Sequence, residues 1–200
     1  MRGKSLMVMC VLFLLALSAA PAAMAADGPG GTPFDEPPVT PPATPAPTAP
    51  GAVAAQPTVP GTVAQMVNGL AAAPEAAPNS VKQAIWAANA IIGRPYRYGG
   101  GHARGFVDRG YDCSGTVSFA LHGAALLDSP LDSGSFMRWG SAGAGQWITV
   151  YTNPGHAYVV IAGLRLDTSA AGDPTGLKGP RWRPNLRSSR GFKVRHPLGL

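Results

Sequence analysis

The sequence predicts an α+β fold, with helices first and an antiparallel meander after them, packed as one domain over residues 79–200. Three observations carry this. Apolar residues recur at helical spacing over residues 80–92 and again after Cys113. From Gln146 onward the pattern changes to short alternating or wholly apolar runs. Turn residues separate those runs.

Each element has its own signal. In the first helix Val81, Ala84, Ile85, Ala88, Ile91 and Ile92 form the stripe, with Ser80 to cap the start and Gly93 the end. The second helix starts at Cys113 and carries Val117, Ala120, Leu121 and Ala124 on one face. A Gly/Ser-rich stretch follows. Over residues 146–152, Trp147, Thr149 and Tyr151 alternate with Ile148 and Val150, which reads as a strand. Asn153-Pro154-Gly155 is a turn, residues 156–162 are apolar and β-rich, and Gly163 turns the chain into a strand over 164–168. Residues 192–195 are a candidate last strand. No internal repeat is visible.

The N-terminal part reads differently. Arg2 and Lys4 precede an apolar run over residues 6–20, and Ala23-Met24-Ala25 supplies a small-x-small pattern. That order predicts a signal peptide over residues 1–25 and a secreted protein. Pro21 ends the run short of the roughly 20 apolar residues of a membrane span, so no stable membrane insertion is expected after cleavage. Residues 26–78 read as a disordered Pro/Ala-rich spacer, because 11 prolines fall within residues 29–60. A weak helical pattern lies over residues 63–72, with Gly69 inside it and Pro74 after it.

Composition narrows the classes. The 200 residues are 46% hydrophobic and 13% charged, which excludes a coiled coil and an acidic disordered chain. Cleavage of the leader removes Cys10 and leaves Cys113 alone, so no internal disulfide is available to it. One thiol and scattered histidines give no ligand pair at zinc spacing, and no metal or cofactor is expected.

Cys113 lies where a loop becomes a helix. There the unpaired first-turn N–H groups and the positive end of the helix dipole favour a thiolate, while a small core residue is the competing reading. His156 opens a strand directly after a turn, at a sheet end, and is the best base candidate. His122 is nine residues along the helix, about 13 Å away, too far to touch the thiol. His102, His122 and His196 are expected to be solvated. A two- or four-residue turn at Ala162-Gly163 puts Asp167 opposite Tyr158, diagonal to His156 and on its face. Asp167 is then the third member of a nucleophile–base–orienter set, with Ser169 as the competitor. Gly99-Gly100-Gly101 lacks the lysine of a phosphate loop and reads as a turn near the site.

These residues carry a resemblance. Arg94-Pro95-Tyr96-Arg97-Tyr98-Gly99-Gly100, then Asp112-Cys113-Ser114-Gly115, then Gly155-His156 before an apolar strand, resembles the NlpC-type family of papain-like cysteine endopeptidases of bacterial cell walls. The likeness covers residues 81–168. It implies a papain-like fold in which an antiparallel sheet packs against a helix bearing the nucleophilic cysteine at its N-terminus. It implies Cys113 as nucleophile, His156 as base, Asp167 at the third position, and Tyr98 and Ser114 as substrate or oxyanion support. It also implies cleavage of the amide between D-glutamate and a diamino acid in peptidoglycan stem peptides. The third residue of the family is more often His, Asn or Gln. A small residue commonly stands where this chain has Tyr158, and Gly-Asp where it has Gly145-Gln146.

Eight Lys/Arg between Arg165 and Arg195, against Asp167 and Asp173, suggest a basic surface for anionic wall polymers, or a solvated tail. Trp182 is the residue able to pin that segment to the domain. Nucleic acid is not an expected partner of an exported protein. The alternatives are an inactive wall-binding module on the same fold, with Tyr158 filling the groove, and a related cysteine amidase or acyltransferase.

Overall fold

Turn chemistry sets the main sheet. The computed structural model describes residues 56–183 and 185–200; the leader, Cys10 and the spacer up to residue 55 lie outside these described residues. Strand β5 (Ile148–Asn153) turns through Pro154-Gly155 into β6 (His156–Ile161), with Asn153 opposite His156. A two-residue turn at Ala162-Gly163, both at positive φ, leads into β7 (Leu164–Asp167). Such a turn matches the twist of the flanking strands. Two short strands, β4 (Ser141–Ala142) and β8 (Arg181–Arg183), and β9 (Lys193–His196) complete six strands in the order β4-β9-β5-β6-β7-β8, all neighbours antiparallel. The α+β class read from the sequence is the one observed.

Two helices cover this sheet. In α1 (Asn79–Asn89) Val81, Ala84, Ile85 and Ala88 are buried, and in α2 (Cys113–Gly123) Val117, Ala120 and Leu121 are. The two pack closely because small residues meet: a Cβ on Gly123 would collide with Ala87 Cβ. Helix α2 lies on β6. A single turn, α3 (Ser133–Phe136), inserts Phe136 into the core. The first helix ends three residues before its expected end, and its N-cap is Pro78, without a side-chain cap, rather than Ser80. Among the described residues no helix is long and apolar enough to cross a membrane.

The domain begins well before residue 79, which corrects the expected spacer boundary. A three-stranded sheet precedes α1: β1 (Thr58–Val59), β2 (Gln65–Val67) and β3 (Leu70–Pro74), in the order β1-β3-β2. The weak helical pattern over 63–72 is in fact the β2–β3 hairpin. Its turn is Asn68-Gly69, both at positive φ, the strongest short hairpin signal in this part of the chain. Ala71, Ala72 and Ala73 are buried, their small side chains letting β3 lie against α1. Asn89 clamps the strand, accepting from Ala71 N–H at 3.0 Å and donating to Ala71 C=O at 2.9 Å.

Candidate active site

Cys113 owes its place to the residue before it. Asp112 is the N-cap of α2, and its carboxylate accepts from the Gly115 N–H at 2.7 Å and the Gly99 N–H at 3.0 Å. Gly100 C=O accepts the Asp112 N–H at 3.1 Å. The glycine loop therefore sits directly on the first turn of α2, and a Cβ on Gly115 would strike the Gly100 carbonyl oxygen. In that turn the Gly115 and Thr116 N–H groups bond to Asp112, while those of Cys113 and Ser114 have no partner among the described residues. They remain able to donate to a developing oxyanion.

The hairpin turn at Ala162-Gly163 brings the other two residues to the thiol. Val159 pairs with Leu166, so Asp167 falls opposite Tyr158, as the two-residue turn requires. His156 Nε2 lies 2.9 Å from Asp167 Oδ1, which leaves Nδ1 as the nitrogen for Cys113. Ser169 is not the third residue: its N–H donates to Asp167 Oδ1 at 2.8 Å and steadies it. Burial pulls the His156 imidazole down, but hydrogen bonds and charge from Asp167 and Cys113 prevail and push it up to about 9. Burial pushes the Cys113 thiol up, yet the His156 hydrogen bond, the Ala157 N–H and the imidazolium charge bring it below its ordinary value. The two shifts are coupled: a charged imidazole favours the thiolate, and the thiolate favours the charged imidazole.

Asp167 is 1% exposed and held as an anion. Burial disfavours its charge, and the His156 and Ser169 hydrogen bonds together with the charges of His156 and Arg165 more than offset that. Arg187 Nη1 lies 3.3 Å from Oδ2 and Arg165 Nε 3.6 Å. Arg165 and Arg183 are wholly buried, so two of the eight basic residues assigned to a surface patch face inward. Each has a carboxylate: Asp167 for Arg165, Asp173 for Arg183. Trp182 does pin the segment, donating from Nε1 to Asn89 Oδ1 at 2.8 Å. Tyr158 does not fill a groove. It is buried, stacked on Tyr151 at 4.8 Å between ring centres and edge-on to Phe192.

A cleft of about 560 Å³ opens over Cys113. Tyr98 and Ser114 both line it, in different ways. Tyr98 is 91% exposed at the rim. Ser114 is buried, its hydroxyl bonded to Asp112 Oδ1 and to His102 Nε2, both at 3.2 Å, which makes it a strut. Tyr96 lies close enough to the thiol that burial first, then the Cys113 and Asp112 charges, raise its phenol pKa. His102, expected to be solvated, is a cleft residue with Nε2 3.0 Å from Asp112 Oδ1. Only the folding-back of the glycine loop brings it there; its spacing from Asp112 carries no periodic signal. His122 stacks on Phe106 at 3.9 Å and bonds the Leu127 carbonyl, and His196 bonds the Gly143 carbonyl. Neither lines the cleft. Among the described residues no group of three His, Cys, Asp or Glu is placed to hold a metal ion.

Such an arrangement can form and break an acyl–sulfur bond: a polarised thiol, an imidazole held in orientation by a carboxylate, and N–H donors at a helix start without a partner among the described residues. Compared with known proteins, the chain matches no family model and no curated protein.

Proposed function

We propose that this protein is an exported cysteine hydrolase that cleaves an amide bond in peptidoglycan stem peptides, between D-glutamate and the following diamino acid. The observation that carries the chemistry is the Cys113–His156–Asp167 line, in which the carboxylate holds Nε2 at 2.9 Å and the imidazolium stabilises the thiolate. The substrate and the papain-like NlpC-type fold rest on the resemblance of Tyr96 to Gly100, Asp112 to Gly115 and Gly155-His156 to that family. Export rests on the leader over residues 1–25.

In the proposed reaction the Cys113 thiolate attacks the amide carbonyl carbon and a C–S bond forms. The N–H of Cys113 donates to the resulting oxyanion. Collapse breaks the C–N bond as the His156 imidazolium gives its proton to the departing nitrogen. Neutral His156 then takes a proton from water, the hydroxide attacks the thioester, and the C–S bond breaks to return the thiolate. Asp167 keeps its charge throughout and holds the ring.

The packing of Tyr158 beneath the site, away from the cleft, favours an enzyme over a wall-binding module that has lost turnover. The test is digestion of peptidoglycan and of stem peptides by protein lacking residues 1–25, with products read by mass. Cys113→Ala is expected to lose at least about a thousandfold in rate while keeping its circular dichroism. Unimpaired cleavage by that variant overturns the proposal. Release of intact stem peptides, or acyl transfer to an added amine, points to the amidase or acyltransferase chemistry instead.

A further inference from the structure

The catalytic pair stands on a seam between two concavities. The larger cleft is lined by Cys113 but not His156. A second pocket of about 280 Å³ is lined by His156 but not Cys113, together with Tyr96, Thr168, Ser169, Ala170 and Lys178. Tyr96 borders both and forms the ridge between them. Within the proposed reaction His156 hands its proton to the leaving nitrogen, so the leaving residue lies on the His156 side, in the smaller pocket. The acyl part of the substrate then occupies the larger cleft.

The two sides differ in charge. Asp112 and Asp132 line the acyl side, whereas no carboxylate lines the smaller pocket, whose charged member besides His156 is Lys178. The backbone holds Lys178 there on both flanks. Arg183 Nη2 donates to the Leu177 carbonyl at 2.8 Å, and the Gly179 N–H donates to the Thr168 carbonyl at 3.0 Å. Gly179 has φ +95°, and a Cβ on it would strike the Arg94 carbonyl oxygen, so the loop lies flat against the segment that carries Tyr96. The acidic residue of the same loop, Asp173, is paired with Arg183, which leaves Lys178 outside the ion pairs formed among the described residues.

We infer that Lys178 is a specificity residue that binds the free α-carboxylate of the leaving residue in the pocket beside His156. This reading rests on the proposed hydrolase function and adds to it the requirement that the leaving residue be anionic. In a peptide the leaving side is the C-terminal side, so the lysine lies where a terminal carboxylate falls. A carboxylate facing the exposed Lys178 ammonium is worth up to about fivefold in binding.

The experiment compares two peptides, L-alanyl-γ-D-glutamyl-lysine as the free acid and as the carboxamide. Wild-type protein is expected to favour the acid about threefold to fivefold in kcat/KM, mostly through KM, and to lose part of that preference in high salt. Lys178→Ala should lose the preference, Lys178→Glu should reverse it, and Lys178→Arg should retain most of it. Binding of both peptides to Cys113→Ala, measured by calorimetry, gives a readout that needs no turnover; the acid should bind more tightly. Equal treatment of acid and amide by the wild type, or a preference that survives Lys178→Ala, overturns the inference while leaving the hydrolase reading intact. Absence of cleavage and of binding for both peptides overturns both.

Discussion

Replacing Asp167 with asparagine removes one buried negative charge and leaves the side-chain shape. The carboxylate gives His156 its strongest upward influence, at 2.9 Å from Nε2. Without it, only Cys113 is left to oppose burial, and the imidazole should titrate well below about 9. Each pKa unit of that fall removes about 1.4 kcal/mol from the imidazolium. The thiol loses its cationic partner in turn and returns toward 9.0, where about 1% is thiolate at pH 7. A more basic thiolate is a better nucleophile, which offsets part of that loss. Iodoacetamide alkylation at pH 7 should therefore slow, its midpoint moving to higher pH, and kcat should fall by about 10²- to 10⁴-fold. The sign on stability follows from the same contacts. Arg165, wholly buried, and Arg187 lose their counter-charge, at a cost of about 3–5 kcal/mol and a drop in Tm on the order of 10 °C. Alkylation is thus compared at a temperature where circular dichroism shows both proteins folded. If the two pH profiles then coincide, Asp167 does not set the state of His156, and the reasoning fails.

Two further substitutions test the frame around the site. Gly115→Ala puts a methyl group against the Gly100 carbonyl oxygen, a backbone atom that cannot swing aside, and should cost about 1–3 kcal/mol in urea denaturation. Because the same turn carries Cys113, alkylation should slow even where the variant remains folded. Asn89→Ala strips partners from the Ala71 N–H and C=O and from Trp182 Nε1, and should cost about 2–4 kcal/mol. Limited proteolysis of that variant should cut first between residues 58 and 78. A digestion pattern matching the wild type would show that β3 does not depend on this clamp.

Much of the site was legible because its determinants are local. Periodicity marks α1 and α2, Asn153-Pro154-Gly155 marks one hairpin, and Ala162-Gly163 marks the next. Side-chain alternation then carries Asp167 to the face of His156 from turn length alone. Asn68-Gly69 is an equally local signal, yet the Pro/Ala-rich composition around it outweighed it, since alanine strands lack the β-branched bulk that marks a strand. Strand β8 is three residues with two arginines, and nothing in RWR by itself foretells burial.

The sequence by itself determined α1 and α2, the hairpins that join β5 to β6 and β6 to β7, the position of Cys113 at a helix start and the register that lines up His156 with Asp167. These follow from spacing, caps and turns within a few residues of one another. Tertiary structure decided what depends on segments distant in the chain. Asn89 joins Ala71 to Trp182, which lie 18 residues before it and 93 after it. Burial of Arg165 and Arg183 is tolerable only where Asp167 and Asp173 are brought against them, because an unpaired charge in the interior is prohibitive. His102 enters the cleft only when the glycine loop closes on α2, and the pocket beside His156 exists only when the loop carrying Lys178 lies against Tyr96. Local chemistry chose the catalytic line; long-range packing built the spaces on either side of it.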